Sequence, residues 1–451
     1  MKAKLINFTK NCFNRSRASK ALLVFSLLCL VLFILCLSFS KQAQEQPSAV
    51  LTESNNSYKT TSTTRIEISP ENYRHNLEII KKIVGPDVNI CAVMKSDAYG
   101  HGINNLIAET VECNPAYIAA IYNSEFKTIY EEIKKQQKDI SLLRIAPVFP
   151  DELAESIGNN WDIEEIIGSL EEAKMISATA RKLSRSQGRN ITVGVHINIE
   201  TGMGRMAFRN IDDIRRTLEL PHLKLKGVMT HFANAYKKEP MAEKETRHQT
   251  EIFDKVVKEL DLNKSIIRHV ANSGATMNYP WTRKDMVRVG SITYGEDLED
   301  LDPKNELLPV MTSYKGKVAI IENNIPPMSP ISYDSMERTR KKGMSTTATV
   351  RAGYNEGFPE MAFKQNIQVL IRGTRFPVIG KTSMNMFVVD ITDQDKNNPV
   401  QLYDEVVLIG KQGEQEIFLE EFASKCNRNI TQLIILLGNA THKTTVSGYS
   451  K

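Results

Sequence analysis

The chain has 451 residues, a quarter of them charged and 41% hydrophobic, a globular mix that fits two domains of ordinary size. Its net charge of +5 is no nucleic-acid signal, because residues 1–40 hold six basic side chains and no acidic one, which leaves −1 over residues 41–451. Three of the six cysteines lie in those first 40 residues; Cys91, Cys113 and Cys426 make neither a disulfide framework nor a metal-ligand spacing and read as packing residues with at most one bridge.

Lys2, Lys4, Lys10, Arg15, Arg17 and Lys20 precede Ala21–Ser40, an uncharged stretch dominated by Leu, Val, Phe and Ile. Its 20 residues suffice for a bilayer core of roughly 30 Å and exceed the roughly 7–15 of an ordinary signal-peptide core. Ser38-Phe39-Ser40 nevertheless has the small-x-small form of a cleavage site. Residues 1–40 are therefore an export signal or a membrane anchor, and with either the basic flank puts the body outside the cytoplasm. Residues 41–63, rich in Gln, Ser, Thr and Asn without periodicity, read as a flexible linker.

Folded structure is predicted to start with the alternating strand Arg65–Ile68, followed by Ser69-Pro70-Glu71-Asn72, a serine cap before a first-turn proline and acid. Ile90–Val93 reads as a short buried strand that runs into Lys95-Ser96-Asp97-Ala98-Tyr99-Gly100-His101-Gly102. A lysine delivered at the C-terminal end of a parallel barrel strand is placed for Schiff-base chemistry, since desolvation favours its neutral amine; a surface lysine after an edge strand is the other reading. Apolar runs then alternate with amphipathic helical stretches: Tyr117–Ala120, a helix near 124–138, Leu142–Ile145, a helix near 151–157, a helix at 169–185, Ile191–Ile199, Leu225–Met229, a helix at 243–260 and Ile266–Ala271. Strand-helix alternation over residues 64–306 predicts a parallel (β/α)8 barrel of TIM type; no Gly-rich dinucleotide fingerprint follows the first strand, as an open doubly wound sheet would lead one to expect. From 307 to 451 the runs Tyr314–Ile321, Thr346–Arg351, Gln368–Ile371, Phe387–Ile391 and Glu405–Ile409 are β-rich and separated by Gly and Pro turns, which predicts a C-terminal all-β domain.

Several strand ends carry polar residues suited to chemistry. Ile199-Glu200-Thr201-Gly202-Met203-Gly204-Arg205 ends in a Gly-flanked arginine whose planar fork matches a carboxylate. His231 follows strand Leu225–Met229, and Ser273 follows His269-Val270-Ala271-Asn272. Arg288-Val289-Gly290-Ser291 offers backbone amides and a hydroxyl for a phosphate at the late barrel strands. Each has an alternative as a satisfied structural or solvated side chain.

Ala92–Gly102 resembles the pyridoxal-phosphate lysine motif of the alanine racemase family (fold type III), and at least six separated motifs follow in the family's order between Thr64 and Gly410. The resemblance implies pyridoxal 5'-phosphate bound to Lys95, with Tyr99, His231, Ser273, Arg288, Gly290 and Ser291 around the cofactor. It also implies that the strand near Arg65 joins the β domain. Arg288 would face the pyridine nitrogen; a guanidinium donates a hydrogen bond without giving up a proton, which weakens the ring as an electron sink and favours reprotonation over decarboxylation. Related decarboxylases of the same barrel use an acid there. Ile331-Ser332-Tyr333-Asp334 and Gly353-Tyr354-Asn355-Glu356-Gly357-Phe358-Pro359 resemble the family's later motifs, which makes Tyr333 the second catalytic base, lent by the partner chain of a head-to-tail homodimer, and Tyr354 a lining residue of the substrate entrance. A phenol with a pKa near about 10 needs cationic or hydrogen-bonding help to act as a base, and His231, in contact with this tyrosine, and Arg288 would supply it. Arg205 and the Met384 amide would hold the substrate carboxylate.

Two departures matter. Asn198 stands where the racemases have a lysine, often carbamylated, and Asn385 follows Met384 where alanine-specific members have Asp; both are similar to the exported broad-specificity branch. Ile434 falls where the family has a late tyrosine on the cofactor phosphate. The expectation is a periplasmic, possibly tethered, broad-specificity racemase that takes free amino acids and no nucleic acid. Its rivals are a strict alanine racemase, a decarboxylase on the same barrel and a non-catalytic pyridoxal-phosphate carrier, though such carriers have the barrel alone.

Overall fold

The computed structural model describes residues 62–296, 301–302 and 304–448; the leader at 1–40 and the linker as far as residue 61 lie outside the described residues. Short apolar runs become strands and the amphipathic stretches between them become helices. Eight strands, β2 (Asn89–Val93), β3 (Tyr117–Ala120), β4 (Ser141–Arg144), β5 (Ile163–Ile167), β6 (Val193–Asn198), β7 (Leu223–Met229), β8 (Ile267–His269) and β9 (Met286–Val289), pair in parallel in the order β8-β7-β6-β5-β4-β3-β2-β9. Between β9 and β8 the amides of Asp285 and Arg288 donate to the carbonyls of Arg268 and Ala271, at 3.0 Å each, and bring the ring close to closure. Inward-facing Cys91, Val93, Ala119, Leu143, Ile166 and Met229 fill the barrel, while Phe253, Ile176 and their neighbours seal the helices to its outside.

One strand has its apolar signal interrupted by two acids. Ile163-Glu164-Glu165-Ile166-Ile167 is buried along its whole length although two of its five residues are acids. It survives because each acid has a partner: Glu165 lies 3.0 Å from the guanidinium of Arg144, and Glu164 lies 2.7 Å from His196 and 3.1 Å from Lys226.

The strand β1 (Arg65–Ile68) leads into helix α1 (Pro70–Val84), whose first turn is capped by the Ser69 hydroxyl accepting from the Asn72 amide at 3.1 Å, with Pro70 at the first helical position. β1 itself belongs to the second domain, antiparallel to β10 (Met311–Ile325) and parallel to the last strand, His442–Thr445. In that domain β10, Ser345–Val350, Phe387–Asp390, Thr374–Ile379, Gln368–Ile371 and Glu405–Gln412 pair antiparallel in sequence around a ring, the last returning to β10. Two helices interrupt this β-rich segment, Leu419–Lys425 and Ile430–Ala440. The second packs backbone to backbone on the turn after β2: a Cβ on Gly438 would lie 1.9 Å from the Gly100 carbonyl oxygen.

Candidate active site

Strand β2 ends with the Met94 amide donating to the Ala119 carbonyl at 2.7 Å, and Lys95 is the next residue. Ser96, Asp97, Ala98 and Tyr99 then take left-handed backbone angles, with φ between 54° and 57°. A non-glycine residue in that region costs about 1–2 kcal/mol, so the turn persists only because its surroundings fix it. The Asp97 amide donates to Glu125 at 2.9 Å, its carboxylate accepts from the Ile103 amide at 2.8 Å, and Lys443 pairs with it at 3.1 Å. His101 bonds the Ala98 carbonyl through Nδ1 at 3.0 Å and stacks on Tyr294 at 4.8 Å. The turn aims Lys95 into the barrel mouth and folds Tyr99 back beside Gly290, where a Cβ would come within 2.4 Å of the Tyr99 hydroxyl.

At the C-terminal ends of the strands opens a cavity of about 920 Å³. It is lined by Lys95, Tyr99, Asn198, Arg205, His231, Ser273, Arg288, Gly290 and Ser291, so every barrel residue singled out in the sequence meets here. Tyr333, Tyr354 and Met384 do not line it. They lie on the β domain, 62%, 45% and 55% exposed, and are tied to one another: the Tyr354 amide donates to Ser383 O at 3.2 Å and the Asn355 amide to Met384 O at 2.9 Å, while Ser332 Oγ donates to Lys381 O and Lys381 pairs with Asp334 at 3.2 Å. The predicted residues thus form two clusters.

Burial lowers the Lys95 ammonium below its usual range; the Arg205 charge adds to this and Glu125 opposes it. The result favours a neutral, nucleophilic amine. Arg205 is held through its backbone, because Asn198 Nδ2 donates to Arg205 O at 3.5 Å and also to Met206 O. Asparagine therefore steadies this loop by reaching its carbonyls. His231 lines the cavity and is pushed down to about 3, by burial first and then by the charges of Arg288, Arg205 and Lys95, so its ring is neutral.

Arg288 is buried and lowered to about 10 by burial, which leaves it cationic at neutral pH. Its Nη1 donates to His269 Nδ1 at 3.1 Å and to His269 O at 2.6 Å, and its Nη2 to Thr230 O at 2.8 Å. A guanidinium accepts nothing, so His269 Nδ1 is the bare nitrogen and Nε2 carries the proton. That proton points to His196 Nδ1 at 2.8 Å, and His196 Nε2 in turn donates to Glu164 at 2.7 Å. Both imidazoles are kept below the ordinary range by burial. Burial raises Glu164, but the bonds from His196 and Lys226 outweigh it and leave the carboxylate lowered. A one-way line of donors thus runs from Arg288 through two neutral rings to an anion under the barrel floor.

These residues fit the pyridoxal phosphate that the sequence resemblance implies. Lys95 offers an amine for a carbonyl, Arg288 a fixed cation, and Tyr99, Ser273 and Ser291 hydroxyls gathered at Gly290, whose missing Cβ lets the Tyr99 hydroxyl approach. Ile434, which falls where the family has the late tyrosine, is 1% exposed inside the core.

Sequence reasoning missed Glu164, His196 and His269 as parts of the Arg288 support, and it missed Tyr236, Lys237 and Asn272, which line the cavity. All three of the latter lie in loops directly after β7 and β8, so the rule that barrel chemistry sits at the strands' C-terminal ends was signal enough.

Comparison with known proteins adds to this geometry. The family models for the alanine racemase N-terminal and C-terminal domains match residues 68–297 and 311–445, the second extending beyond Gly410, where the readable motifs fade. An alanine racemase of Syntrophobacter fumaroxidans is 30% identical over 85% of this chain and 97% of its own length. A broad specificity amino-acid racemase of Vibrio parahaemolyticus is 32% identical over 85% and 90%. Among solved structures, the Clostridium difficile alanine racemase superposes with a TM-score of 0.73 at 30% identity, covering 86% of this chain and 96% of that one. An alanine racemase of Bartonella henselae solved with covalently bound pyridoxal phosphate shares the fold at a TM-score of 0.70 and 22% identity, covering 85% and 100%.

Proposed function

The chain belongs to the alanine racemase family, a pyridoxal-phosphate-dependent family of amino-acid racemases, and from that premise we propose that it interconverts L- and D-amino acids of several side chains with Lys95 and Tyr333 as its two bases. Pyridoxal phosphate, when bound, withdraws electrons from the α-carbon of the amino acid it carries and makes the α-proton acidic. The remaining work belongs to the chain's own groups.

Lys95 Nζ, whose charged form burial disfavours, takes or returns a proton on one face of the α-carbon. Tyr333 serves the opposite face from a second copy of the chain, giving a homodimer with two composite sites. The observation that carries this reading is the division of the site residues into two clusters: a barrel cavity with one base, and an exposed surface on the β domain with Tyr333, Tyr354 and Met384. Exposed Met336, Met344 and Met386 on the same domain support burial against a partner. Arg205 orients the substrate carboxylate, and the neutral His231 ring accepts or gives a hydrogen bond beside the incoming phenol. Arg288, braced by His269, stays a donor that yields no proton, which supports racemisation over decarboxylation.

Asn198 and Asn385 favour broad specificity. Asn385 Nδ2 donates to Glu356 at 2.7 Å, which ties the Met384 segment to the Tyr354 turn by a neutral contact where an aspartate would repel. The basic, apolar leader supports export to the periplasm, cleaved or tethered. Chiral chromatography of residues 41–451 after incubation with L-alanine, L-lysine, L-arginine and L-methionine tests the reading. D-isomers of several are expected; turnover of alanine alone would establish the strict enzyme instead, and release of carbon dioxide a decarboxylase.

A further inference from the structure

The cofactor reading leaves one phosphate contact unfilled, because Ile434 stands where a phenol was expected and its side chain is buried in the core. The backbone of its helix packs on the turn after β2, where a Cβ on Gly100 would lie 2.8 Å from Ile434 O and from Ile435 Cα. The barrel supplies a phenol from the other side. Tyr236, in the loop after β7, lines the cavity, and its hydroxyl lies 3.2 Å from Ser291 Oγ.

Its position is set by the turn that carries Ser273. Asn278 Nδ2 donates to Ala235 O at 3.1 Å and to Tyr236 O at 3.2 Å. Gly274 admits the loop so closely that a Cβ there would meet Ala235 O and Tyr236 Cα at 2.8 Å. Next to it, Ser273 Oγ accepts the Gly290 amide at 2.9 Å, which brings Ser273, Gly290 and Ser291 into one cradle with Tyr236 at its rim. The loop, the serine turn and the strand end at Gly290 therefore form one braced unit.

We infer that Tyr236 is a phosphate ligand of the cofactor in this chain, donating its phenolic proton to a phosphate oxygen beside Ser291. The inference deepens the pyridoxal-phosphate reading and rests on it. Two hydroxyls 3.2 Å apart can each turn a proton toward an anion placed between or above them, whereas an apolar ring there would leave that anion's oxygen undersatisfied.

The test compares cofactor uptake with and without the phosphate. Purified protein, wild type and Tyr236→Phe, is stripped of cofactor and titrated with pyridoxal phosphate and separately with pyridoxal, following the lysine-linked absorbance and, for the first, the 31P shift of the bound phosphate. We expect Tyr236→Phe to weaken pyridoxal phosphate about tenfold, in line with one lost charge-assisted hydrogen bond, to move the 31P resonance, and to leave pyridoxal uptake unchanged. Ser291→Ala should behave alike. Equal loss for both ligands would mean that Tyr236 only packs the ring, and unchanged uptake of both would remove it from the site; either overturns the inference. A wild type that takes up neither ligand would overturn the cofactor reading itself.

Discussion

His101 gives the most direct way to read the left-handed turn that delivers Lys95. It is wholly buried, its Nδ1–H donates to Ala98 O, and its Nε2 meets no partner among the described residues. A second proton would sit on that nitrogen with nothing to accept it, and burial accordingly pushes the imidazole down to about 4. An unfolded histidine titrates at about 6.5. Because the folded value is the lower one, the stabilisation is complete above pH 6.5 and is lost as pH falls from there toward 4. Between pH 7.5 and pH 5.5 the unfolded chain gains a proton that the folded chain refuses, a loss of about 1.4 kcal/mol for this one residue. His196 and His269, equally buried and also lowered, act in the same direction, each by at most about the same 1.4 kcal/mol. Urea unfolding at both pH values, at fixed protein concentration, measures the sum. His101→Phe keeps the stack on Tyr294 and removes the titration, so its loss between the two pH values should be smaller than that of the wild type by about 1.4 kcal/mol. Identical losses in the two proteins, or no loss in either, would show that His101 is not held neutral and that the turn is braced in some other way.

Three further outcomes follow from the same geometry. Lys95→Ala should abolish the absorbance near about 420 nm expected of a lysine-linked pyridoxal group; a retained band would refute the assignment of Lys95. Asn198→Ala removes the bonds to Arg205 O and Met206 O, at about 1 kcal/mol each, and should raise KM about five- to tenfold with a smaller change in kcat; an unchanged KM would mean that the Arg205 loop is held without it. Glu164→Leu leaves Lys226 and the Arg288 line without their anion and should lower stability by about 3 kcal/mol in urea unfolding, and a neutral result would show that the line carries no charge compensation.

Much of the molecule was legible because two simple regularities hold. Short apolar runs marked six of the eight barrel strands, and polar residues at or shortly after the ends of several of them, Lys95, Asn198, His231 and Ser273, reach the cavity. Ile163–Ile167 escaped because burial by pairing looks, in sequence, like exposure: Glu164 and Glu165 read as solvent-facing acids until His196, Lys226 and Arg144 are placed beside them. The left-handed turn was hidden for a different reason, since Ser96-Asp97-Ala98-Tyr99 contains no glycine and its conformation is imposed by Glu125, Ile103 and Lys443, all of which except Ile103 are distant in sequence. Helix Ile430–Ala440 was missed within a β-rich segment, and with it the reason that Ile434 faces the core. The grouping of Tyr333, Tyr354 and Met384 on a surface apart from Lys95 depends on how the β domain folds, which no local pattern encodes.

The central claim is that one active site draws its two bases from two chains. Lys95→Ala and Tyr333→Phe, each inactive as a pure dimer, should regain activity when unfolded together and refolded as a one-to-one mixture, since half of the dimers then hold one intact site and the mixture reaches about a quarter of the wild-type rate. Activity that stays at the level of the separate variants, in a mixture shown to contain the heterodimer, would contradict it.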